Sequence, residues 1–261
     1  MPIRKDTPVP LYYQLAEQIR EQIESQELVP GSQLPSERDL ADRYDISRMT
    51  ARQALTYLVR QGRLIVRPGI GTFVAEPKLT HNTLHLLGFT EEMLAHGQAP
   101  SSRVIEQALV EPPQAVAARL GLQDGEQATR IVRLRLSQNV PLLLETVYVA
   151  QSLAPGLEQV DLAATSLYAA LEERFGLHLH HASQTMELTT ARADEATLLD
   201  VPAGASLLLL DGVTYTEDER PIEAFKALYR GDKFSFTVES RRHHSADRSD
   251  GNRLSVVLRE R

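Results

Sequence analysis

Leu34-Pro35-Ser36-Glu37-Arg38-Asp39-Leu40-Ala41-Asp42-Arg43-Tyr44 is followed, across the tight break Asp45-Ile46, by Ser47-Arg48-Met49-Thr50-Ala51-Arg52-Gln53-Ala54-Leu55. Ser36, placed after a proline, offers an N-cap hydroxyl, so the first run predicts a short helix over Glu37 to Tyr44. Ser47 caps a further helix through about Gln61, with Ala51, Ala54, Leu55 and Leu58 on its inward face and Gly62 as its stop. Arg48 and Arg52 are four apart and project together near the N-terminal end of that helix. Two helices joined by a three- or four-residue turn, with arginines leading the second, form the arrangement that enters the major groove of DNA.

Upstream, Leu11, Leu15, Ile19 and Ile23 recur every four residues after Pro10 and predict an amphipathic helix that ends near Pro30-Gly31. Downstream, Arg63-Leu64-Ile65-Val66-Arg67-Pro68-Gly69-Ile70-Gly71-Thr72-Phe73-Val74 reads as two short β runs around a Pro/Gly turn. This is a wing whose tip glycines let the backbone approach a groove or a phosphate; an ordinary hairpin with a glycine turn fits the same residues. Between Ile46 and Ala75 there are five arginines and no acid, a local basic footprint in a chain of net charge -7. Residues 1 to 78 carry a net charge of +1, and the remaining residues carry -8.

With Leu34 to Ala41, Ser47 to Leu55, Gly62 and Gly69 to Val74 in place, residues 8 to 75 closely resemble the GntR family of bacterial regulators. The resemblance implies DNA contacts from Arg38, from Ser47, Arg48, Thr50 and Arg52 on the recognition helix, and from the wing glycine Gly69. Chemistry agrees, since arginine makes bidentate contact with guanine or binds phosphate, and Ser and Thr hydroxyls serve phosphates. Double-stranded DNA is thus the expected partner. One short helix sees few base pairs, which predicts a homodimer on a palindromic operator.

The 261 residues, 42% apolar and 24% charged, suffice for two domains. The chain has no cysteine, which excludes disulfides, thiolate metal sites and a cysteine nucleophile. No apolar run reaches the roughly 20 residues that span a bilayer, and Met1 to Asp6 has no apolar signal core, so a cytoplasmic protein without membrane contact is expected. The serines fit no nucleophile elbow, His178, His180 and His181 lack an accompanying carboxylate cluster, and no Gly-rich phosphate loop is present. No catalytic residue, metal or cofactor is therefore assigned.

The fold class read from the sequence is α+β: a winged helix over residues 1–75, a linker over 76–84, a second domain over 85–241, and a tail over 242–261. The second domain alternates β-prone stretches, from Arg103 to Val110, Thr129 to Leu136, Pro141 to Val149, His180 to Thr190, Ser206 to Thr216 and Pro221 to Val238, with helices near Gln114 to Leu120, Ser166 to Phe175 and Asp194 to Leu199. An antiparallel sheet with helices on one face satisfies this order. Gly88-Phe89-Thr90-Glu91-Glu92-Met93, Arg133-Leu134-Arg135, Pro141 to Glu145, Ser166-Leu167-Tyr168 and Tyr229-Arg230-Gly231-Asp232 resemble the UTRA sensor domain of the HutC subfamily, which is in turn similar to chorismate lyase.

Arg133 and Arg135, two apart on a strand, share one face while Val132, Leu134 and Leu136 share the other. Two guanidiniums on one face invite an anion; Glu145, on a facing strand beside apolar Leu143, Val147 and Val149, requires a partner, and a plain Arg133–Glu145 ion pair meets that requirement. Thr90 is read as a helix N-cap, adding backbone N–H groups to the anion site. Similarity to members of the subfamily that sense amino-sugar phosphates implies an effector site lined by Phe89, Thr90, Arg133, Arg135, Glu145, Ser166, Tyr168, Glu223 and Tyr229. Gly88 departs from the serine or alanine common there. The function expected is a transcriptional repressor controlled by a small anionic effector, with a phosphorylated (amino) sugar as the expected class. Two alternatives are a lyase-like enzyme fused to a DNA-binding domain and an effector-independent DNA-binding protein.

Overall fold

The computed structural model describes residues 3–76, 78–82 and 86–237, and the chain divides into two compact units between Lys78 and Leu79. Residues 238–261, including the tail expected from the sequence, and Pro77 and residues 83–85 of the linker region, lie outside the described residues.

In the first unit, α1 (Leu11–Glu24), α2 (Glu37–Tyr44) and α3 (Arg48–Arg60) precede the antiparallel hairpin β1 (Leu64–Arg67) and β2 (Gly71–Val74). The four-residue repeat of α1 buries Leu15 and Ile19, which close one core with Leu40, Ala51, Ala54, Leu55, Leu58 and Leu64. α1 ends earlier than its composition suggests, because Gln26 takes a left-handed conformation and the Leu28 N–H returns to the Gln22 carbonyl at 2.9 Å. Ser36 and Asp39 form a reciprocal capping box that starts α2, and Ser47 Oγ accepts the Thr50 N–H at 3.0 Å to start α3. Gly69, at φ +74° in the wing turn, occupies the left-handed region that disfavours a side chain.

The second unit opens with β3 (Leu79–Asn82), α4 (Phe89–Ala95), β4 (Pro100–Val110), α5 (Gln114–Leu120), β5 (Ala128–Ser137) and β6 (Val140–Ala150). After α6 (Leu167–Ala169), which runs into a π-helical turn over Ala170–Arg174, come β7 (His181–Thr190), α7 (Ala193–Leu199), β8 (Ser206–Tyr215), β9 (Pro221–Arg230) and β10 (Phe234–Thr237). Six strands form one antiparallel sheet in the order β4-β5-β6-β9-β8-β7. Gln138 and Asn139, both at positive φ, make the two-residue turn that fixes the β5–β6 register with Arg133 opposite Glu145.

Three features differ from the expectation. Helices cover both faces of the sheet, not one. Val132 and Leu134 pack with α7 residues Ala196 and Leu199, whereas Ile131 and Val147 pack with Leu167 and Leu171 from the α6 region. The physical reason is that β5 is buried along both sides and each side needs a cover. Four residues assigned to the linker form β3, which pairs in parallel with β10. The long β-prone run after Pro221 divides because Gly231 passes so close to β8 that a Cβ there would lie 2.8 Å from the Ser206 carbonyl oxygen. At that break Arg230 is clamped by Asp232 at 2.7 Å and donates to the carbonyls of Pro141 and Leu199. The Tyr229-to-Asp232 motif thus contributes a structural clamp as well as Tyr229.

Candidate functional site

On the first unit, four of the six residues implied for DNA contact lie at the start of α3, Arg38 lies in the first turn of α2, and Gly69 sits at the wing turn. Ser47 and Thr50 are tied to each other, their hydroxyls 2.8 Å apart, as part of the helix cap. Arg38 is well exposed, and its Nε lies 3.9 Å from Asp42 Oδ2. Arg48 Nε donates to Glu37 Oε2 at 3.1 Å, while Arg52 donates from Nε to Oε1 at 2.8 Å and from Nη2 to Oε2 at 3.0 Å. The Arg52 hydrogen bonds, then those of Arg48, hold the Glu37 carboxyl below its usual range, so it stays ionised. Glu37 therefore orients both guanidiniums from α2, a role that helical periodicity does not reveal because its partners are 11 and 15 residues away on another helix.

In the second unit, a cavity of about 250 Å³ lies against the sheet face that carries the odd-numbered residues of β5. Its walls include Phe89, Arg133, Arg135, Glu145, Ser166, Tyr168, Glu223 and Tyr229, eight of the nine residues implied for the effector site. Alternation on β5 brings both arginines to one wall, and the β5–β6 hairpin sets Glu145 against them. Arg133 Nη2 lies 2.5 Å and Arg135 Nη1 3.3 Å from the same oxygen, Glu145 Oε1. The ion pair anticipated from the sequence forms, but it does not consume the guanidiniums. Arg133 Nε and Nη1 and Arg135 Nε are buried with no hydrogen-bond partner among the described residues. Buried N–H groups left in this state are costly unless an acceptor meets them.

Thr90, the ninth residue, acts differently from the expectation. Gly88, not Thr90, is the N-cap of α4, and the Glu91 carboxylate accepts the Gly88 N–H at 3.2 Å. Thr90 lies in the first helical turn, where its hydroxyl accepts from Arg135 Nη2 at 2.8 Å, and the Phe89 ring packs under the same guanidinium at 4.5 Å. Both residues thus hold Arg135 in position. The glycine at 88 has a spatial reason: a Cβ there would stand 3.3 Å from Tyr168 Cδ2.

The sequence reading missed the wall formed by His180, His181, Ala182 and Gln184 around the start of β7, together with Leu86, Leu87, Leu210 and Phe225. His181 stacks on Tyr215 at 5.0 Å and lies 3.5 Å from the Glu219 carboxylate. In the sheet β7 is separated from β5 by β6, β9 and β8, so local periodicity carries no signal for this wall.

Electrostatically, the cavity sets two guanidiniums against two carboxyls. Burial lowers the Arg135 guanidinium to about 10, still charged at neutral pH. Burial pushes the Glu223 carboxyl up to about 7, against the opposing effect of the Tyr168 and Thr214 hydroxyls, which donate to Oε1 at 2.8 and 2.9 Å. Burial also raises the Tyr229 phenol, keeping it neutral. Two guanidiniums therefore face one paired carboxylate and one carboxyl that is about half protonated near neutral pH.

The raised Glu223 value has a consequence for stability. The folded state binds this proton more tightly than the unfolded state, so the stabilisation is fully present below about pH 4.5 and is lost as pH rises to about 7. Glu223→Gln is expected to gain on the order of 3 kcal/mol relative to wild type across that window and to hold a constant difference above it. Thermal melts of both proteins from pH 4 to 9 measure this; a pH-independent difference would contradict the assigned proton.

No helix among the described residues is long and apolar enough to cross a membrane. The model for bacterial regulatory proteins of the gntR family matches residues 11–74, and the UTRA domain model matches residues 95–235. The transcriptional repressor NagR of Bacillus subtilis (strain 168) is 37% identical over 236 residues, covering 90% of this chain and 97% of the relative. A probable fructoselysine utilization operon transcriptional repressor of Escherichia coli (strain K12) is 26% identical, covering 82% of this chain and 87% of the relative. The crystal structure of PhnF from Mycobacterium smegmatis, 30% identical, superposes with a TM-score of 0.62 over 87% of this chain and 98% of its own. With its helix-turn-helix and wing followed by a sensor domain that encloses a cavity, the chain belongs to the GntR family of DNA-binding transcriptional regulators, in the HutC-type arrangement with a UTRA domain.

Proposed function

We propose that this regulator is a cytoplasmic repressor that releases its operator when a small anionic metabolite, best a phosphorylated sugar or amino sugar, fills the UTRA cavity. The observation that carries the reading is the set of three buried guanidinium nitrogens on Arg133 and Arg135 without an acceptor among the described residues. A phosphate supplies several acceptor oxygens with the charge these donors favour. The Glu223 carboxyl and the hydroxyls of Tyr168, Ser166 and Tyr229 offer partners for sugar hydroxyls or an amine. The volume lies below the roughly 300–1,000 Å³ of drug-sized pockets, which suits a small metabolite better than a long acyl chain. The relative whose name refers to fructoselysine utilization supports a sugar derivative.

A thermal-shift experiment with hexose and hexosamine 6-phosphates tests this directly. At 100 times its dissociation constant a bound ligand stabilises the protein by about 2.7 kcal/mol, and a regulator returns it chemically intact. Sugars without phosphate are expected to shift the melt far less. Absence of any shift across the phosphosugars, or turnover of the one that binds, would overturn the proposal.

The winged helix presents one recognition helix per chain, so we propose a homodimer that spans two operator half-sites. Light scattering at micromolar concentration is expected to give twice the chain mass with and without DNA. A monomer in both conditions excludes it.

A further inference from the structure

The recognition helix α3 exposes a side chain that its arginines do not account for. Ala51, Ala54, Leu55 and Leu58 mark its buried side. At about 100° per residue, Met49 and Gln53 lie opposite that side, one turn apart at the N-terminal end of the helix. Both are exposed, and Met49 is 60% accessible. Arg48 and Arg52 lie toward one flank, where Glu37 holds both guanidiniums. Thr50, on the other flank, is tied to Ser47. The outermost position at the end of α3 that leads into a DNA groove is thus an uncharged, flexible thioether.

We propose that Met49 reads a thymine of the operator by packing on its C5-methyl group. The proposal rests on α3 being the helix that enters the major groove. Thymine alone among the bases shows a methyl group in that groove. A cytosine at the same place shows a ring C–H beside an amino donor, for which a methionine has no good acceptor. The unbranched side chain follows the position of the methyl group, and its burial against that group removes apolar surface of both partners from water. Arg48 and Arg52 then supply charge and hydrogen bonds at neighbouring positions, while Met49 separates T·A from C·G where no hydrogen bond is made.

The test uses the full chain and a duplex recovered by selection from a random pool. The duplex is resynthesised with deoxyuridine replacing thymine at one position at a time, which deletes the methyl group and leaves pairing intact. Wild-type protein is expected to lose affinity about fourfold at one thymine of a half-site, the effect of one buried methyl-sized group. Met49→Ala is expected to melt as wild type and to bind the thymine and deoxyuridine duplexes equally. Indifference of the wild type to every deoxyuridine, or a penalty that persists unchanged in Met49→Ala, overturns the proposal. If the Arg48→Ala, Arg52→Ala variant also binds the selected duplex normally, the groove reading itself has failed; if that variant loses binding, only the thymine contact has.

Discussion

Operator affinity in the Arg48→Ala, Arg52→Ala variant is expected to fall by about 2 to 6 kcal/mol per half-site, from the roughly 1 to 3 kcal/mol of each base-reading arginine. Structure adds a second component to that loss. Glu37, only 25% exposed, is neutralised by these two side chains, and without them it turns an unpaired carboxylate toward the phosphates. Glu37→Gln added to the double variant should therefore recover part of the affinity. Salt separates the roles: an arginine on a phosphate lowers the slope of log affinity against log salt by about 1, whereas a base-reading arginine changes sequence preference instead. Gel-shift or anisotropy titrations at several salt concentrations measure both, and near-normal affinity in the double variant contradicts the assignment.

Loss of the effector response is expected when Arg133 and Arg135 are both replaced, while operator binding persists. Alanine at both positions alone is a poor test, because Glu145 shares one oxygen between the two arginines and would be stranded almost buried. Arg133→Ala, Arg135→Ala, Glu145→Gln removes the charges together and leaves no stranded carboxylate at that position, and its thermal melt checks that it folds. In this variant, phosphosugar affinity is expected to drop at least about 100-fold, the effect of losing two charge-assisted hydrogen bonds at about 1.5 to 3 kcal/mol each. Unchanged phosphosugar affinity would mean that the arginines serve only to neutralise Glu145.

Much of this was legible in the chain itself, and the parts that were not share a physical cause. α2 and α3 are bounded by local signals, Ser36 and Ser47 as caps and the inward alanines as a stripe, so their limits follow from the residues alone. Alternation along β5 likewise puts Arg133 and Arg135 on one face without knowledge of the sheet. By contrast, β3 is only four residues that pair with β10, some 150 residues later, and no local pattern marks such a parallel contact. Glu37 as the anchor of the recognition arginines and β7 as a cavity wall are also products of tertiary packing. The misplaced cap at Thr90 was avoidable: Glu91, three residues after Gly88, is placed to accept the Gly88 N–H with its carboxylate and so points to the glycine as the N-cap of α4.

Repression under metabolite control requires free-energy coupling between the cavity and the DNA-binding unit. An effector shifts operator affinity only as far as it prefers one conformation of the protein, typically about 1 to 3 kcal/mol. Reciprocity follows, so under the proposed function operator DNA is expected to weaken phosphosugar binding by the same factor that the phosphosugar weakens operator binding. The most direct test is a titration of a selected operator with the full chain, with and without a saturating hexosamine 6-phosphate. A fall in operator affinity of about 5- to 150-fold, absent from the Arg133→Ala, Arg135→Ala, Glu145→Gln variant, is the predicted result. Identical operator affinity with and without a phosphosugar shown by thermal shift to occupy the wild-type protein would contradict it.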